Sequence, residues 1–206
     1  MAPVKVDQKY IDLFEEYTHT PLPRRVFLDR LALLAGGTVA ASALLPLLEN
    51  NYAKAAVVEP NDPRITTEKV DLDGGDGVKV KTLIAKPKAA TGKLPTVVVI
   101  HENRGLNPHI EDVARRLALE GFMTLAPDGT SSLGGYPGDD VKGGELFSKV
   151  DRAKMGEDLY AAAVYVKDRP DSTSRLGTTG FCFGGGIANQ LAVRMGADMK
   201  AIAPFY

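Results

Sequence analysis

Gly180-Phe181-Cys182-Phe183-Gly184-Gly185-Gly186 is the stretch whose surroundings decide the fold. It follows a strand-like run, Arg175 to Thr179, and precedes a helix-like run, Ile187 to Met195. A strand, a tight glycine-flanked turn carrying one nucleophilic side chain, then a helix make a nucleophile elbow, with Cys where Ser is usual. So sharp a turn leaves almost no room for side chains two residues before and two after the nucleophile, and Gly180 and Gly184 stand there. At a helix start the unpaired N–H groups and the helix dipole favour a thiolate, the reactive form of Cys. The competing reading is a small buried apolar Cys; the strand–turn–helix setting favours the nucleophile.

Working outward, Thr96-Val97-Val98-Val99-Ile100 is a continuous β-branched run, as expected of a parallel strand buried on both faces. The loop His101-Glu102-Asn103-Arg104-Gly105-Leu106-Asn107-Pro108 follows it. Asn107 and Pro108 suit the N-cap and first position of a helix over Ile110 to Glu120, with Ile110, Val113 and Leu117 inward and Gly121 closing it. Phe122 to Ala126 is the next expected strand, and Pro127 to Gly144 a long loop. Asp151 to Lys167 reads as a helix with Met155, Leu159, Ala162, Ala163 and Val166 inward, and Lys200 to Tyr206 as one more strand. Before all these, Thr66 to Leu72 and Val78 to Lys86 read as a hairpin turning at Gly74-Gly75-Asp76-Gly77. A hairpin followed by alternating strands and helices implies a three-layer α/β fold with a mostly parallel sheet. Ligands in such folds bind at the C-terminal ends of the strands, where both the His101–Pro108 loop and Cys182 fall.

The chain has 206 residues, 44% of them hydrophobic, and a net charge of −1. That is an ordinary globular composition with no basic surface for nucleic acid. The single Cys allows no internal disulfide, and no Cys/His cluster has the spacing of a metal site. Residues 1–56 read as a separate N-terminal region, 57–65 as a Pro/Asn/Asp-rich linker and 66–206 as the folded domain. Tyr10, Ile11, Leu13, Phe14 and Tyr17 have amphipathic-helix spacing, ended by Pro21 and Pro23. Arg24-Arg25-Val26-Phe27-Leu28, the uncharged run Leu31 to Leu48 and Ala53-Lys54-Ala55 together read as a twin-arginine export signal with a cut before Ala56. Export machinery is then a partner, and the location is periplasmic or secreted. The alternatives are a structural helix on a cytoplasmic protein or a membrane anchor, against which Gly36, Gly37, Ser42 and Pro46 count.

With both loops in view, the region Thr66 to Tyr206 resembles the dienelactone hydrolase family of α/β-hydrolases. The resemblance rests on Val97 to Asn107, on Gly121-Phe122 with Leu125-Ala126-Pro127-Asp128, and on Gly180 to Gly185. It implies hydrolysis of a small-molecule lactone or activated ester by a Cys nucleophile, without a cofactor or metal. By that resemblance Cys182 is the nucleophile and Glu102 takes its proton when substrate arrives. The backbone N–H groups of Phe183 and Asn103 form the oxyanion hole. Arg104 and Tyr136 are candidates for holding a substrate carboxylate or lining the pocket.

All three His residues, His19, His101 and His109, precede Cys182, whereas this fold runs nucleophile, acid, His. His101 is therefore read as shaping the oxyanion loop rather than as the base. After Cys182 there is no His, and Asp198 is the only acid. The resemblance implies further strands and helices after Tyr206 carrying the missing Asp and His, so a C-terminally incomplete domain is expected. The alternative is a catalytically inactive chain acting at most as a binding or vestigial protein. Composition gives neither the substrate nor the oligomeric state.

Overall fold

The computed structural model describes residues 6–20, 22–48 and 56–206. The chain divides into two compact units, Met1–Ala55 and Ala56–Tyr206. In the first, helix α1 (Gln8–His19) is capped by the Asp7 carboxylate, and α2 (Arg24–Ala35) begins at the paired arginines. The stacked rings of Tyr17 and Phe27, with centroids 4.4 Å apart, join them, and an Arg30–Glu16 ion pair of 2.7 Å adds to the contact. The uncharged run is split between α2 and α3 (Thr38–Leu48), because Gly36 adopts the left-handed conformation that stops a helix. Among the described residues no single helix is long and apolar enough to cross a membrane. Residues 24–35 and 38–45 satisfy length and composition only as a pair bent by 110°. Pro21 and the processing sequence Ala53-Lys54-Ala55 lie outside the described residues.

The second unit is built on a six-stranded sheet in the order β1-β2-β4-β3-β5-β6. β1 (Ile65–Asp73) and β2 (Lys79–Pro87) form the expected antiparallel hairpin. β2 is antiparallel to β4 (Met123–Pro127). Then β4, β3 (Leu94–Ile100), β5 (Ser172–Phe181) and β6 (Met199–Phe205) run parallel. This is the expected three-layer, mostly parallel arrangement of an α/β-hydrolase-like fold. Helix α4 (Pro108–Leu119) lies on one face, with Ile110 and Ala114 against Leu83, Val99 and Ala126. Helices α6 (Arg152–Lys167) and α7 (Phe183–Met195) cover the other, where Met155, Leu159, Ile187 and Leu191 pack on Val98, Ile100 and Leu125.

Two expectations change. The loop expected to run to Gly144 ends sooner, at helix α5 (Asp140–Lys149), whose first turn is capped by Asp139. Gly143 and Gly144 hide this helix from a propensity argument. They are small because Arg104 lies over them: a Cβ on Gly143 would come within 2.5 Å of its carbonyl oxygen, and one on Gly144 within 2.5 Å of its guanidinium. Val113 and Leu117 pack against the core as expected but at its edge, only half-buried; with Val97, Phe181, Ile202 and Phe205 they line an apolar cavity of about 820 Å³ beside β6. More deeply buried on the same helix is a polar pair.

That pair, Asp112 and Arg115, is only 3% exposed at each residue. One Asp112 carboxylate oxygen accepts from the backbone N–H groups of Val57 and Val58, at 3.2 and 2.8 Å. Arg115 Nε donates to the Val58 carbonyl at 2.8 Å. Val58 itself packs against Ile65, Ala85 and Ala118. The segment expected to be a linker is thus anchored at its start by two hydrogen-bonded charges. Asp112→Ala takes the acceptor from the Val57 and Val58 N–H groups, while Arg115 keeps Glu111 at 3.6 Å and the Val58 carbonyl, and should lower unfolding stability by about 2 kcal/mol. Asp112→Asn, which keeps an acceptor oxygen, should cost less than half of that in a urea titration.

Candidate active site

The site is set by the register of two parallel strands. Ile100 at the end of β3 pairs with Gly180 near the end of β5. Glu102 follows Ile100 by the same interval as Cys182 follows Gly180, so both leave neighbouring strands at one level. The elbow has the strained geometry its glycines imply: Cys182 has φ 53° and ψ −116°. Non-Gly residues with positive φ cost on the order of 1–3 kcal/mol and persist only when their surroundings hold them. Here the Cys182 N–H donates to the Phe205 carbonyl at 2.9 Å, and its carbonyl accepts from Gly185 and Gly186 at 3.0 and 3.3 Å. A Cβ on Gly180 would stand 2.2 Å from the Gly184 carbonyl oxygen. One on Gly184 would stand 2.5 Å from the Ile100 oxygen and 2.6 Å from that of His101. The thiol is exposed.

Glu102 is half-buried, and its Oε1 accepts from the Tyr206 hydroxyl at 2.7 Å. That bond, with burial and the neighbouring charges of Glu102 and Cys182, pushes the Tyr206 pKa up to about 12. Tyr206 thus joins Glu102 and Cys182 in one corner. Sequence reasoning missed this, because an aromatic residue after an apolar strand signals packing rather than a hydrogen bond. The backbone N–H groups of Asn103 and Phe183 have no hydrogen-bond partner among the described residues. They lie one residue beyond Glu102 and Cys182, respectively.

Arg104 turns back along its own loop, with Nη1 3.4 Å from the Asn103 carbonyl, and rests on α5 at Gly144. Tyr136 is directed elsewhere. Its hydroxyl donates to Asp140 at 2.9 Å, and its pKa is raised by burial and by that carboxylate. Its ring lines a second cavity of about 320 Å³, walled by Lys69, Lys81 and Glu111, which includes none of Cys182, Glu102 or Asn103. Behind the elbow, Phe147 and Phe183 meet edge to face at 4.9 Å, and the Arg152 guanidinium lies 3.6 Å from the Phe147 ring centre.

The loop after β4 is ordered by Asp128, which sequence reasoning used only as a family marker. One carboxylate oxygen accepts from the Thr130 N–H and hydroxyl at 2.9 and 2.6 Å, and the other from the Tyr136 N–H at 2.6 Å. His101 is wholly buried between this loop and its own. Among the described residues no three His, Cys, Asp or Glu side chains converge as a metal site would require.

Known proteins resemble this chain in sequence and fold. Residues 80–206 match the model of the dienelactone hydrolase family. A protein of Escherichia coli (strain K12) provisionally named as a hydrolase fragment, YghX, is 54% identical over 112 residues, which cover 54% of this chain and 96% of that one. A Salmonella typhi protein provisionally named a carboxymethylenebutenolidase is 36% identical over 126 residues, 59% of this chain. The match covers 46% of that relative, so this chain spans about half its length. The crystal structure of a provisionally named dienelactone hydrolase from Klebsiella pneumoniae superimposes with a TM-score of 0.57 at 33% identity. That superposition covers 67% of this chain and 58% of the other. The chain belongs to the dienelactone hydrolase family.

Proposed function

We propose that this domain cleaves a small-molecule lactone or carboxylic ester through the Cys182 thiolate and a thioester intermediate. The observation that carries the reading is the level pairing of Ile100 with Gly180, which brings Glu102 and Cys182 out of adjacent strands side by side. Glu102 takes the thiol proton as the thiolate forms. The sulfur attacks the ester carbonyl, and negative charge moves onto the carbonyl oxygen. Two N–H groups without partners among the described residues, those of Asn103 and Phe183, are suited to hold that oxygen. The alkoxide then leaves with a proton, and the acyl group stays on Cys182. The name carboxymethylenebutenolidase, carried by the Salmonella relative, favours an unsaturated lactone as the substrate.

Release of the acyl group needs a base to activate water. His101 cannot serve: it is wholly buried with both ring nitrogens engaged. No His follows Cys182 in the 206 residues. This favours a second reading, in which these residues acylate once and stall while turnover needs a base from outside them. The first unit, we further propose, is an export signal, supported by Arg24-Arg25 and the uncharged run after it.

Iodoacetamide should alkylate Cys182 faster than a free thiol such as glutathione, and Cys182→Ser should abolish both labelling and p-nitrophenolate release from p-nitrophenyl acetate. A rate equal to that of glutathione would sink the activated nucleophile. Glu102→Gln removes the proton acceptor and should slow acylation by about 100-fold or more. A single stoichiometric burst of p-nitrophenolate marks the stalled reading, and steady release marks turnover. N-terminal sequencing of exported protein should begin near Ala56; material in the cytoplasm that keeps Met1 would overturn the signal.

A further inference from the structure

Behind the candidate nucleophile lies an imidazole that the chemistry above leaves unused. His101 Nε2 sits 2.8 Å from the backbone nitrogen of Gly129. A backbone N–H only donates, so Nε2 accepts and carries no proton. The proton of the neutral ring is then on Nδ1, which donates to the Glu102 carbonyl at 2.6 Å. Burial favours the same neutral state and pushes the His101 pKa below its usual 6.5. Arg152 acts in the same direction, while Asp128 and Glu102 oppose it. The ring is a strut between two loops. Its Gly129 end belongs to the loop that Asp128 ties down through Thr130 and Tyr136. Gly129 lets the strut seat: a Cβ there would lie 3.0 Å from Nε2 and 2.9 Å from Met155.

The other end matters more. The Glu102 carbonyl shares one planar trans peptide with the N–H of Asn103. Fixing the direction of that C=O fixes the N–H in the opposite direction. We propose that neutral His101 is a positioning residue that aims the Asn103 N–H into the oxyanion hole by holding the carbonyl end of the same peptide. This deepens the thioester reading and rests on it. His101 touches no reacting atom. Without the strut the peptide is free to rotate, and a donor turned away from its acceptor weakens steeply.

Two reactions of one thiolate separate this role from a merely structural one. In alkylation by iodoacetamide, sulfur displaces iodide and no oxyanion forms. In acylation by p-nitrophenyl acetate, an oxyanion forms before p-nitrophenolate departs. His101→Leu supports neither hydrogen bond, whereas His101→Gln offers an amide oxygen to Gly129 and an amide N–H to the Glu102 carbonyl. The acylation burst of His101→Leu should fall about 100-fold while its alkylation rate holds, and His101→Gln should recover most of the burst. Independently of the Leu variant, the ratio of acylation to alkylation in the unaltered protein should fall on acidification below pH 6.5, as His101 protonates and Nε2 becomes a donor. In His101→Gln that ratio should stay flat. A proportional fall of both reactions, a Gln variant no better than Leu, or a pH-independent ratio in the unaltered protein overturns the proposal. An unaltered protein that alkylates but never acylates defeats the thioester reading itself, a result visible before any His101 variant is made.

Discussion

The site depends on how closely the first turn of α7 lies against the end of β3. Only a residue without a Cβ fits at position 184, with carbonyl oxygens of Ile100 and His101 within 2.6 Å of where that atom would be. This contact ties the elbow to the loop that carries Glu102 and Asn103. A side chain there would push helix from strand, and the level pairing of Ile100 with Gly180 would no longer bring Cys182 beside Glu102. Because backbone meets backbone at this point, neither partner can give way cheaply, as a side chain changing rotamer would.

That close approach explains how the strain at Cys182 is tolerated. A positive φ in a residue with a side chain is sustained because the same peptide units are held from three directions. The Phe205 carbonyl of β6 takes the Cys182 N–H, while Gly185 and Gly186 of α7 donate to its carbonyl. The strand next to the elbow is therefore part of the mounting of Cys182. Tyr206, directly after it, places its hydroxyl on Glu102. One segment thus supports the backbone of Cys182 and the carboxylate of Glu102. The sheet edge and the chemistry are mechanically coupled.

The sequence made the outline of the fold legible wherever local signals were strong: the β-branched run of β3, the Asn107-Pro108 start of α4, and the inward stripe of α6. The elbow was legible because its two glycines answer a steric demand that few other turns make. What stayed hidden depended on partners far along the chain. α5 was obscured by Gly143 and Gly144, whose smallness serves the approach of Arg104. Asp112 and Arg115 carry surface-type charges yet are buried, because Val57 and Val58, more than fifty positions away, supply backbone groups to match them. Tyr136 lines a cavity, and its hydroxyl is held by Asp140, a partner supplied by the unforeseen helix.

His101 and Glu102 are adjacent, yet their surroundings divide their work. Burial and two fixed hydrogen bonds keep the imidazole neutral and immobile, so it has no free nitrogen to exchange a proton. The carboxylate beside it is half-exposed, and its Oε1 accepts from the Tyr206 phenol. In the proposed reaction the carboxylate accepts a proton and then moves aside, which needs such freedom, whereas keeping an N–H aimed needs the opposite. Alternation along an extended segment sends successive side chains to opposite sides, so one goes into the core and the other to the Tyr206 hydroxyl. In the proposed mechanism both halves of the acylation step, proton removal and charge stabilisation, rest on two consecutive residues at the end of one buried strand.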